Sequence, residues 1–202
     1  MGDGCVCNHY RLTSNIETMR RLFAVDSSSA PNLPVFDEIY PDRDAPVVIT
    51  ASTGERRITM KRWGFPPPVA GTRPLTKVRN LASPFWRTAL SRPDRRCLVS
   101  VTAFSEWTAE PDPVTIRKRK VWFDLPAQEV FAFTGVWRPT SEVDRFAFLT
   151  TAPNELVGAV HPKAMPVILT PHEYTAWLTG DFAAVGAMSA AYPDDEMRIL
   201  PD

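Results

Sequence analysis

Apolar positions along this 202-residue chain fall in short bursts whose spacing keeps changing. Ile16, Met19 and Phe23 recur at helical spacing, and Ser14 with Glu17 three residues on has the form of a capping box. A helix is therefore predicted over Ser14–Val25. Prolines 31, 34, 41 and 46 mark the loop that follows. Val47–Ala51 and Arg57–Trp63, where Ile58 and Met60 alternate with polar residues, read as a hairpin around Ser52-Thr53-Gly54. Pro66-Pro67-Pro68 ends it, residues 69–82 read as loop, and Ser83-Pro84 opens a short helix through about Leu90. Compact apolar runs at Cys97–Thr102, Val121–Leu125, Val130–Val136, Phe146–Thr151 and Val167–Leu169 read as strands, the second and third as a pair. Thr170 and Glu173, with Pro171 between them, cap a helix carrying Tyr174, Trp177 and Leu178 that stops at Gly180. No repeat or linker interrupts the pattern. It predicts one α+β domain, with a mixed, mostly antiparallel sheet or open barrel, flanking short helices and a C-terminal tail at 181–202.

Composition supports a globular chain: 44% hydrophobic and 23% charged. No apolar run nears the roughly 18 residues of a membrane span. The start, MGDGCVCNHYRL, has no basic stretch followed by an apolar block, and three cysteines make no disulfide framework, so a cytoplasmic protein is expected. Twenty prolines against nine glycines suit stiff, ordered loops.

Net charge is zero, which taken alone speaks against a nucleic-acid binder. Its distribution speaks the other way. Between Arg56 and Arg96 stand eleven basic residues and Asp94 alone among acids, a net +10. A second run, Arg117-Lys118-Arg119-Lys120, precedes an apolar strand. Trp63, Phe65, Phe85 and Trp86 interleave with the first cluster, and cations with aromatic faces are what a single-strand groove requires. A solvated basic face with aromatics in the core accounts for the same composition.

Three side chains could carry chemistry. Cys7, if it bore a free α-amine, would be a 1,2-aminothiol able to condense with an aldehyde and close a thiazolidine; an amine pKa near 8 and a thiol pKa near 8.5 keep both groups partly reactive at neutral pH. Without that amine it is an ordinary cysteine. Glu106, at a strand end before Trp107, suits a general acid or base. His161, in a proline-stiffened segment before a strand, is placed to move protons near pH 7. Cys5, Cys7 and His9 form too sparse a set for a metal site, and none is expected. Cys97 reads as a core residue and His172 as an exposed helix-start residue.

Cys7-Asn8-x-Tyr10-Arg11, Arg62-Trp63-Gly64-Phe65, Val78-Arg79-Asn80, Ser83-Pro84-Phe85-Trp86-Arg87, Phe104-x-Glu106-Trp107, Phe133-x-Gly135-x-Trp137 and the block from His161 to Leu169 together resemble the SOS response-associated peptidase (SRAP) family over nearly the whole chain. The resemblance implies a sensor of abasic sites in single-stranded DNA that cross-links through an N-terminal cysteine; condensation of an aldehyde with an aminothiol needs no cofactor, and a monomer is expected. It implies Cys7 as nucleophile, Glu106 as acid/base and His161 as the group that opens the sugar ring. Arg79 and Lys77, with Trp63, Trp107, Arg11 and Arg87, are then the expected DNA contacts. A thiol-dependent peptidase and a non-covalent DNA-binding module are the alternatives.

Two departures from the family pattern stand out. Six residues precede Cys7, where the family cysteine follows the initiator Met, so either Val6 marks the true start or residues 1–6 are removed. Lys77 occupies a position where the family carries Asn; it could favour a thiolate, contact phosphate or offer its own amine to an aldehyde.

Overall fold

The computed structural model describes residues 8–26, 33–67 and 72–201. The chain runs β1 (Tyr10–Leu12), α1 (Ile16–Phe23), β2 (Phe36–Ile39), β3 (Asp44–Thr50), β4 (Arg56–Trp63), β5 (Lys77–Val78) and α2 (Pro84–Leu90). It continues with β6 (Arg96–Val101), β7 (Ala103–Trp107), β8 (Lys120–Asp124), β9 (Phe131–Arg138), β10 (Arg145–Thr151) and α3 (Glu155–Val160). The last elements are β11 (Met165–Pro166), β12 (Ile168–Leu169), α4 (Tyr174–Thr179), α5 (Phe182–Ala187) and β13 (Arg198–Ile199). The expected α+β class, with mostly antiparallel strands and short helices, is the observed one. None of the described helices is long and apolar enough to cross a membrane.

Two sheets organise the molecule. The larger joins β4 to β3, β3 to β6 and β6 to β9 in antiparallel pairs. It closes into a ring because β10 pairs antiparallel with β9 on one edge and parallel with β4 and β5 on the other. The smaller sheet has the order β13-β8-β7-β1-β2. Tyr10 of β1 joins the two, its ring 5.2 Å from that of Trp63. Trp63, Phe133 and Phe148 continue the cluster at 5.0–5.2 Å and are fully buried. Gly135 is required where β9 crosses β6: a Cβ there would lie 2.7 Å from Cys97 Sγ.

Some of the local signals in the sequence are realised in the fold and others are not. The hairpin of β3 and β4 and the Thr170–Glu173 capping box are present. At α1 the cap is Asn15, whose side chain accepts from the Thr18 amide at 2.9 Å, because Ser14 donates to Glu129 instead. Ser83 precedes α2 without a side-chain cap. The runs at 121–125 and 130–136 are not a pair: β8 joins β7 and β13, whereas β9 belongs to the ring. Residues 181–201 fold back, supplying α5 and the edge strand β13.

The eleven cations between Arg56 and Arg96 do not line one groove. Lys61 is buried against Asp144 at 2.7 Å, and Arg96 is fully buried with its guanidinium on the Gly180 carbonyl. Arg62 clasps Asp44 and Arg92 clasps Asp94. Arg56 is spent on Phe23 and Thr175. Alternation along β4 and the turn before β6 send neighbouring cations to different faces.

Candidate functional site

The pairing of β1 with β7 decides where the N-terminal motif goes. Tyr10 lies opposite Phe104 and Arg11 opposite Ala103, and the Ser105 amide donates to the His9 carbonyl at 3.0 Å. Carried two residues further, that register brings Asn8 level with Glu106. Cys7, the preceding residue, lies outside the described residues. Glu106 is buried at 1% exposure, although a carboxylate at a strand end usually faces water. Trp107, the next residue, is 40% exposed.

His161 reaches the same place from the far side of the chain. It caps the C-terminal end of α3, its amide donating to the Val157 carbonyl at 2.7 Å. Nδ1 lies 3.2 Å from the Trp107 carbonyl, and Nε2 is buried without a hydrogen-bond partner among the described residues. Burial lowers its pKa below the ordinary 6.5; the Trp107 bond works the other way, and the charges of Lys163, Lys77 and Lys118 add to the lowering. The ring is therefore neutral at pH 7.

Cations gather around this pair. Lys77, in β5, sits opposite Phe148 of β10, half-buried. Arg79 is exposed and donates to the Lys163 carbonyl at 3.0 Å, tying β5 to the segment after His161. Lys120 Nζ stands 5.8 Å from the Trp107 ring. The second basic run thus serves this site more than most of the first cluster does. Lys118 and Lys163 went unassigned in the sequence, where only the run itself signalled the former.

A cavity of about 280 Å³ opens beside Asn8, bounded by His9, Tyr40, Ser105, Trp107 and Lys120. His9 stacks on Tyr40 with centroids 4.2 Å apart, and its Nδ1 and Ser105 Oγ share a hydrogen bond at 3.0 Å. Desolvation lowers its pKa to about 4, Lys120 adding to the effect and Glu38 opposing it. A larger cavity of about 400 Å³, beside Arg11, Asp124, Glu129 and Arg198, opens towards the other end of β7.

Two predicted DNA contacts, Trp63 and Arg87, sit elsewhere. Trp63 has no exposed surface; its indole N–H donates to the Thr76 carbonyl at 3.0 Å and its ring belongs to the core, so it cannot stack a base. Arg11 is closer to the site: it lies over the Trp122 ring at 4.7 Å, and that ring meets His9 edge-on at 4.6 Å. Arg87 is exposed on α2, 5.6 Å from the Phe182 ring. Glu106, His161, Lys77, Arg79 and Trp107 instead converge on the end of β7 and the segment 161–163.

A family model for SOS response associated peptidase (SRAP) matches residues 6–201. The chain belongs to the SRAP family. Membership ties it to the response to DNA damage. The chain is similar in structure to a protein from Bordetella bronchiseptica, with a TM-score of 0.77 at 22% identity over 96% of this chain and 98% of that one. A protein from Bacteroides thetaiotaomicron gives 0.75 at 17% identity, over 96% and 90%. A phage-related protein from Bordetella bronchiseptica gives 0.76 at 16% identity, over 97% and 94%. At these identities the likeness is one of fold. A search of curated proteins gave no match. Within the SRAP fold, the His161–Trp107 bond holds a neutral imidazole beside the strand that carries Glu106.

Proposed function

We propose that this SRAP protein captures abasic sites in single-stranded DNA by forming a thiazolidine on Cys7. The observation that carries the reading is the convergence of neutral His161, fixed by the Trp107 carbonyl, with the charge of Lys77 and with Arg79 on the Lys163 carbonyl, beside the strand whose Glu106 lies level with Asn8, the covalent neighbour of Cys7.

The chemistry follows from those groups. The ring-opened abasic sugar exposes an aldehyde. A free Cys7 amine attacks it and water leaves, giving an imine. The thiol then adds across the C=N bond, forming the S–C bond and returning a proton to nitrogen, for a net loss of one water. Glu106 supplies and removes the protons of carbinolamine dehydration. His161 Nε2, with its lone pair free, takes the hemiacetal proton when the sugar opens. Arg79 and Lys77 hold phosphates. Trp107, with its exposed ring, stacks a neighbouring base.

The reaction needs a free amine on Cys7, hence loss of residues 1–6 or a start at Val6. The test combines intact mass with a denaturing gel, using single-stranded DNA with one abasic site. A shifted band from protein that begins at Cys7, lost in Cys7→Ala, is the expected result. Capture by protein that retains Gly2–Val6 overturns the thiazolidine. Chain trimming without a shifted band favours a peptidase.

A further inference from the structure

The loop between β7 and β8 presents apolar side chains to water and holds them in a strained, organised turn. Val114 is 87% exposed and Ile116 73% exposed. Ile116 has φ +56, the left-handed region that β-branched residues avoid. The strain is held by a network. Asp112 Oδ1 accepts from the Val114 and Thr115 amides at 3.0 and 2.9 Å, and the Ile116 amide donates to the Asp112 carbonyl at 2.8 Å. Below the tip, the Asp112 amide donates to the Arg117 carbonyl and the Thr108 amide to that of Arg119. Strained backbone of this kind concentrates where a surface is used.

Its position says for what. The loop is rooted at Trp107, and the Ala109 amide donates to the Val160 carbonyl at 2.8 Å, one residue before His161. Arg117, Lys118, Arg119 and Lys120 descend from the tip towards that root. An apolar tip on a cationic stem is complementary to a nucleic-acid strand: phosphates meet the stem, and the tip meets base faces.

We infer that Val114 and Ile116 fill the stacking gap left by a missing base, so that the loop selects strands with a lesion before any covalent step. This rests on the abasic-site reading above. An intact strand stacks continuously and offers no apolar slot. A strand lacking one base offers a slot walled by two base faces, into which an aliphatic side chain fits without displacing a base.

The experiment uses the full chain and a tetrahydrofuran abasic analogue, which has no aldehyde and so reports non-covalent binding alone. Wild type is expected to prefer the analogue-bearing strand over the intact strand by about tenfold, the factor that 1.4 kcal/mol supplies. In Ile116→Asn, which keeps a residue tolerant of the left-handed turn, and in Val114→Ser, that preference shrinks while affinity for the intact strand holds. Quenching of 2-aminopurine beside the gap should change with the wild type and not with the variants. Equal affinity of wild type for both strands overturns the inference, as do variants that keep the preference. So does self-association of wild type that the variants abolish with DNA binding unaltered, which would make the tip a contact between copies. Cross-linking to a true abasic site is scored separately, so loss of the covalent step and loss of lesion preference are distinguished.

Discussion

The carbonyl oxygen of Trp107 lies 3.2 Å from Nδ1 of His161. A carbonyl can only accept, so Nδ1 carries the proton and Nε2 keeps its lone pair. Burial, with Lys163, Lys77 and Lys118 nearby, keeps the ring from taking a second proton at neutral pH.

Replacing His161 by Gln should therefore slow adduct formation on abasic DNA by about 100-fold near pH 7.5, the low end of what a positioned base contributes. The ratio of wild-type to variant rate is the informative quantity, since it cancels the titration of the Cys7 amine. With the pKa lowered, the ratio stays flat through pH 7 and collapses only below the ordinary histidine range. A ratio that already falls between pH 8 and 7 would mean a ring with raised pKa, contrary to its setting.

Lys77→Asn tests the charge that distinguishes this site. Removing a cation that opposes protonation of His161 should move the collapse of that ratio to higher pH. The adduct itself should persist, because the amine and thiol both belong to Cys7 in the proposed chemistry. A borohydride-trapped adduct that survives in Cys7→Ala and vanishes in the Cys7→Ala/Lys77→Asn double variant would assign the reacting amine to Lys77 instead.

The sequence locates the candidate site better than it locates the charged surface. Glu106 and His161 were legible because each stands in a short motif with an apolar strand beside it. Lys77, Arg79 and Trp107 followed from the same resemblance. Trp63 was misplaced because an aromatic among cations looks alike whether it stacks a base or fills a core; only the closed ring of strands shows that it faces inward. The basic cluster misled for a related reason. Charge counted along the chain ignores the alternation of β4, which buries Lys61 and leaves Arg62 outside. The pairing of β8 with β7 was hidden by the loop of residues 108–119, since proximity in sequence favoured β9 as its neighbour.

His9 provides a stability test apart from the chemistry. Its folded pKa of about 4 lies below the ordinary 6.5, so the unfolded chain takes up a proton first. Its contribution is complete above pH 6.5 and is lost as pH falls towards 4. Allowing for partial solvation, the loss is on the order of 2 kcal/mol. Urea midpoints for wild type should drop more steeply across this window than those of His9→Gln. Parallel curves would show that the ring is protonated without penalty in the fold.

Gly135→Ala tests the closure of the ring. The added Cβ would meet Cys97 Sγ at 2.7 Å and Val99 Cγ2 at 3.0 Å, both in β6 and both fully buried. Neither can swing away, so the strands must separate, at about 1–3 kcal/mol typical of overpacking. Cys97→Ala removes the nearer obstacle and leaves a small void of its own, so each single variant is expected to be destabilised. Together they should be less destabilised than the sum, because the new methyl occupies part of the space the sulfur left. Thermal or urea unfolding of the four proteins measures the coupling. Strict additivity would mean that β9 and β6 relax apart without Cys97 setting their spacing. Cys97 is suited to this packing role: burial pushes its pKa up to about 12, so it stays a thiol.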